Sequence, residues 1–169
     1  MAKLLDTLAK KLPGTSYVAG TAFRWSPKDN MIIYRDAREP TQADEWALLH
    51  ETGHALLNHR NYSSDLELLL LEVAAWEKAE ELAKELGVEI DPEHVQDCLD
   101  TYRDWLHQRS TCPVCITASL QINPTTYRCH NCLTEWQVSA SRFCRAYRRR
   151  KLTDHEKKSP GPHRQATFI

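Results

Sequence analysis

Four cysteines constrain this chain more than any other feature. Cys112-Pro-Val-Cys115 and Cys129-His-Asn-Cys132 form the pattern C-x2-C-x13-C-x2-C. Each pair makes a tight turn that aims two thiolates at one point, and two such turns complete a closed tetrahedral set around one ion. A redox dithiol would instead need a strand–helix–strand setting around one CxxC. Residues 110–138 are short, turn-rich segments without that setting.

The cysteine-bearing segment is similar to zinc ribbons. Four thiolates leave no open coordination position, so the Zn2+ held there is expected to be structural. His130 sits inside a turn and reads as exposed. Cys98 and Cys144 lie beside apolar neighbours and read as core thiols.

Charge divides the chain at the same place. Residues 1–109 carry 12 Lys and Arg against 20 Asp and Glu; residues 110–169 carry 10 against 3. Such asymmetry points to two units with different partners. Arg142, Arg145, Arg148, Arg149, Arg150 and Lys151 concentrate charge in a segment (141–151) expected to be helical. With Tyr127 and Trp136 nearby, that is a footprint for nucleic acid or for a nucleic-acid-bound partner. A solvated helix, or a clamp onto the acidic first part, fits the same residues. No apolar run reaches transmembrane length and Met1–Gly14 is no secretory signal, so the expectation is a cytoplasmic protein without a membrane span.

The first part reads as helices with one β segment. Leu4, Leu5, Leu8 and Leu12 recur at helical spacing, and Pro13-Gly14 ends that helix. Alternation from Tyr17 to Trp25, a polar turn and Met31-Ile32-Ile33-Tyr34 predict two strands joined by a turn. Thr41 with Asp44 resembles a capping box opening a helix to about Asn58. Ser64 with Glu67 opens the next, which Gly87 closes. Asp91-Pro92 opens a fourth, to about Gln108.

The second of these helices carries His50-Glu51-Thr52-Gly53-His54, an HExxH pattern. Residues four apart share a helix face, so both imidazoles can reach one metal ion. Glu51 can then act on water without ligating the ion. Catalytic zinc normally takes a third protein ligand. His59 is not expected to supply it, because on a continued helix it lies about 140° from His54. Glu72 is the better candidate. On a wheel of residues 65–86 it falls in the middle of the apolar sector, whereas Glu67, Glu77, Glu81 and Glu85 lie opposite. A buried carboxylate needs a metal or a cationic partner, and two histidines await a third ligand.

The run Trp46 to His59 looks like the active-site helix of gluzincin metallopeptidases, and is most similar to the ImmA/IrrE family. Glu72-Val-Ala-Ala75 resembles that family's glutamate helix, although Trp76 stands where an acidic or amide residue is common. The resemblance covers about residues 17–87. It implies a zincin-like α+β domain in which strands shield a zinc between two helices. It also implies cleavage of one or a few protein partners, typically DNA-bound repressors.

The sequence therefore predicts a zincin-like peptidase domain (1–109), a zinc ribbon with a basic helix (110–151) and a tail (152–169). One catalytic zinc would be held by His50, His54 and Glu72 with Glu51 as base, and one structural zinc by the four cysteines. Tyr34 and Tyr62 are conceivable oxyanion donors but read as packing residues. The strand at Ile32-Ile33 offers an edge for an extended substrate. The alternative is a non-catalytic binding module in which the ribbon binds nucleic acid or protein and the HExxH zinc is structural or latent.

Overall fold

The computed structural model describes residues 1–139 and 148–151. They form a mixed α+β structure with four helices and two sheets, and the chain divides into two compact units between Leu106 and His107.

The first unit begins with α1 (Ala2–Lys11), whose Leu4 and Leu8 are buried. Three strands follow: β1 (Ser16–Gly20), β2 (Arg24–Ser26) and β3 (Met31–Arg35). The sheet order is β1-β3-β2, with β1 parallel and β2 antiparallel to β3. The sequence pattern predicted one strand from Tyr17 to Trp25. It is broken because its two ends lie on opposite sides of β3, which no continuous strand can do. The same topology corrects the expected docking edge: Ile32 and Ile33 are central, and the free edges belong to β1 and β2.

Helix α2 (Gln42–Leu56) starts at a full capping box. Asp44 donates its N–H to Thr41 Oγ1 at 3.3 Å, and the Thr41 N–H donates to Asp44 Oδ2 at 2.7 Å. That amide, opposed by burial and helped by the Thr41 hydroxyl and Arg35, holds the Asp44 carboxyl below its ordinary value. Helix α3 (Asp65–Leu86) is capped by Ser64 and ends at Gly87, whose φ of 67° is the left-handed cap that glycine favours. Helices α2 and α3 meet closely at Gly53, where a Cβ would stand 2.5 Å from the carbonyl oxygen of Ala75. Their shared core includes Leu48, Leu49, Trp76, Ala79 and Leu82, and takes in Leu8, Ile32, Val95 and Leu99. Helix α4 (Pro92–Ser110) supplies the last two.

In the second unit, β4 (Leu120–Asn123), β5 (Thr126–Arg128), β6 (Glu135–Val138) and β7 (Arg148–Arg150) form an antiparallel sheet in that order. Its core is Cys112, Tyr127, Cys129, Trp136 and Val138, with the Tyr127 and Trp136 rings stacked at 5.6 Å. For residues 148–150 the expected basic helix is corrected here. Arg148, Arg149 and Arg150 are a strand paired with Val138, Gln137 and Trp136. The unpaired edge of β6 outweighs the modest helix preference of arginine, as tertiary pairing commonly does. Arg142, Arg145, Cys144 and the segment 152–169 lie outside the described residues. Among the described residues no helix is long and apolar enough to cross a membrane.

Candidate metal centres

The capped helix α2 presents His50 and His54 one turn apart, and the Gly53 contact brings α3 close enough for Glu72 to join them. Their ligand atoms form a nearly equilateral triangle. His50 Nε2 lies 3.2 Å from Glu72 Oε2 and 3.2 Å from His54 Nε2, and His54 Nε2 lies 3.6 Å from Glu72 Oε2. Tetrahedral zinc, with bonds of about 2.0–2.1 Å, would hold such atoms about 3.3–3.4 Å apart. The side chains are nearly buried, at 11% exposure for His50, 12% for His54 and 9% for Glu72.

Protons alone do not satisfy this triangle. Burial acts to raise the Glu72 pKa, but hydrogen bonds from His50 and His54 and their charge outweigh it and hold the carboxyl far below its usual range. Ionised Glu72 brings no hydrogen, and each Nε2 brings at most one, so two hydrogens face three edges. One cation facing three lone pairs leaves no edge unsatisfied. The residues fit a His2Glu metal site, and their three ligand atoms lie within 4.8 Å of one another.

Glu51 lies outside this group of three. Its Oε2 accepts the backbone N–H of Trp25 at 2.6 Å. Trp25 is on the edge strand β2, so this amide faces away from β3 and is available to a side chain. The Trp25 indole N–H donates to the carbonyl oxygen of His59 at 2.8 Å. His59 Nδ1 in turn lies 2.8 Å from His54 Nδ1. Burial, with the nearby His54 second, lowers the His59 pKa. His50 has no such partner: Nδ1 is buried and without a hydrogen bond among the described residues, and Trp76 stacks on the ring at 4.3 Å.

Sequence reasoning rejected His59 as a ligand and assigned it nothing further; it also missed Trp25. The missing signal was Asn58. Helix α2 stops at Leu56 and Asn58 takes a left-handed φ of 52°, so the wheel used to place His59 no longer applies. Tyr34 is half-buried against the core and Tyr62 is 47% exposed, and neither joins the triangle. Cys98 is partly buried against the core.

The second group is made by two matching turns. The amides of Val114 and of Asn131 each donate to the first sulfur of their turn, Cys112 or Cys129, at 3.4 Å. Cys112 and Cys132 approach to 3.6 Å, Cys115 and Cys129 to 3.4 Å, and Cys115 and Cys132 to 3.5 Å. Zinc–sulfur bonds of about 2.3 Å would set tetrahedral sulfurs about 3.8 Å apart, close to these values. Burial pushes the Cys112 thiol up to about 11, while hydrogen bonding with Thr117 brings Cys115 down to about 5. His130 is exposed and outside the cluster. Arg148, Arg149, Arg150 and Lys151 are all exposed; Arg148 donates to the carbonyl oxygen of Thr111 at 2.7 Å and Lys151 pairs with Glu135 at 3.4 Å.

No protein family, curated protein or solved structure matches the chain.

Proposed function

We propose that the first unit is a zinc-dependent endopeptidase of the HExxH…E, gluzincin type with a zincin-like fold. It would hydrolyse a peptide bond in one or a few protein partners, in a regulatory role such as removal of a DNA-bound repressor. The observation that carries this reading is the His50–His54–Glu72 triangle beside a glutamate that stays outside it. A purely structural ion needs three or four ligands and has no use for Glu51.

His50, His54 and Glu72 would hold the ion, which supplies Lewis-acid chemistry: it polarises the scissile carbonyl and eases deprotonation of water. Glu51 takes the proton from the attacking water at its carboxylate and passes it to the departing amine nitrogen. The Trp25 amide fixes the carboxylate by one oxygen and leaves the other for that transfer. The second unit would hold a structural zinc on its four cysteines. Its exposed Arg149, Arg150 and Lys151 favour a binding role for the ribbon, toward nucleic acid or an acidic partner, beside the catalytic one. That surface is also what the non-catalytic reading rests on, and Glu51 separates the two readings.

The test is metal content with peptide cleavage. Wild type should carry two zinc ions, and Glu72→Ala and Cys115→Ser about one each. A diverse peptide library incubated with wild type should be cut at one or a few related sequences, and Glu51→Gln should lose at least 100-fold in rate while keeping both ions. One ion, kept in Glu72→Ala and lost in Cys115→Ser, would overturn the peptidase reading.

A further inference from the structure

We infer that His59 is a positioning residue for the His/Glu metal site: it accepts the Nδ1 proton of His54 and so fixes the tautomer and ring plane in which His54 Nε2 meets the ion. The inference rests on the peptidase reading only in taking the triangle as a metal site.

The chemistry leaves one assignment. A neutral imidazole carries one proton, and the nitrogen that meets a cation must offer its lone pair. His54 Nε2 faces His50 and Glu72 at 3.2 and 3.6 Å, so its proton must sit on Nδ1. The atom 2.8 Å from Nδ1 is His59 Nδ1, which must therefore accept, with the His59 proton on Nε2. Ligand histidines are commonly held this way by a carboxylate or carbonyl, and here another imidazole does it.

The backbone fixes the acceptor in place. The His59 amide donates to the carbonyl oxygen of His54 at 3.0 Å, and the Asn58 amide to that of Ala55 at 3.0 Å. These paired bonds, with Asn58 left-handed, are a Schellman closure of α2. The closure returns His59 alongside His54, the third residue from the helix end. The Trp25 indole on the His59 carbonyl secures the same residue from β2, and the Trp25 amide holds Glu51. One strand residue thus braces both the candidate base and the residue that orients a ligand.

The test is zinc and cobalt affinity of the His/Glu site in the full chain, measured by chelator competition, with thermal unfolding as control. His59→Ala should weaken that site 10- to 100-fold and alter the visible spectrum of bound Co2+, while the ribbon zinc and the melting temperature of the metal-free protein hold. His59→Asn places an acceptor oxygen two bonds from Cβ, as Nδ1 is, and should recover affinity to within a few-fold of wild type. Equal affinity in wild type and His59→Ala, or an Asn variant as weak as Ala, overturns the role of His59. A wild type that loses no metal on Glu72→Ala instead removes the metal site itself, and the inference falls with it.

Discussion

The two candidate metal groups differ in what stands behind them. The cysteine group draws its ligands from 21 residues (112–132), and Cys112 and Cys129 are themselves two of the five buried residues in that unit's hydrophobic core. The His/Glu group draws on two long helices whose core, from Leu48 to Leu82, lies outside the ligands. A site that is part of its own core needs an ion in order to fold; a site mounted on a finished core can spend its ion on chemistry.

The sharpest way to break that comparison is to remove each ion in turn. Structural zinc on cysteine turns contributes about 10–16 kcal/mol of apparent binding free energy, and a unit this small rarely folds on burial alone. Cys112→Ser should therefore unfold residues 110–138. The stacked Tyr127 and Trp136 would lose their near-ultraviolet circular dichroism, while the helical far-ultraviolet signal of the first unit persists. His50→Ala should empty the other site with both units still folded. A Cys112→Ser ribbon that keeps its aromatic signal would show that the two sites are alike.

The scaffold of the His/Glu site can be tested directly at Gly53. A methyl there would press on the Ala75 carbonyl at 2.5 Å, a backbone atom that cannot turn aside. Gly53→Ala should destabilise the first unit by about 1–3 kcal/mol, the usual range for an overpacked core, as read from urea unfolding. It should also weaken metal at His50, His54 and Glu72 by moving α3, and leave the ribbon untouched. Unchanged stability would mean that the helices have room to separate, and that the triangle is not set by this contact.

How much of this was legible in the sequence follows the same division. The cysteine turns and the capped helices are local, so spacing alone placed them: Thr41 with Asp44 caps α2 as read, and Ser64 caps α3, although the Glu67 carboxylate accepts from Ser63 rather than Ser64. Glu72 could be singled out because a lone carboxylate in an apolar helical sector is costly wherever the partner lies. What was not legible depends on chain reversals or on pairing between distant segments. Two strands were expected where β1 and β2 flank β3, because alternation says nothing about which side of a neighbour a strand takes. The β7 arginines were read as helix because their partner, β6, lies ten residues earlier. His59 was set aside as a ligand, and it stays outside the group of three, but its place beside His54 was missed by extending a helix through Asn58, whose left-handed turn ends it. Trp25 read only as the end of an alternating strand, since it acts on the site through its backbone amide and one indole N–H.

The smallest expected effect lies in the ribbon, in the residue after each cysteine pair. Ile116 and Leu133 have φ of 61° and 60°, and their amides bond Cys112 and Cys129 carbonyls at the same 3.1 Å. The left-handed region costs a residue with a Cβ about 1–2 kcal/mol, most for a β-branched one. Neither side chain recovers this by packing within the described residues, at 71% and 62% exposure. Ile116→Gly should relieve the strain at some cost in unfolded-chain entropy. The net gain should be about 1 kcal/mol, with about half of that for Leu133→Gly, measured as resistance of the aromatic signal to heat at fixed zinc. A loss of stability on Ile116→Gly would reverse the reasoning: the isoleucine must then be covered by something, and an ion would not be the only support this small unit has.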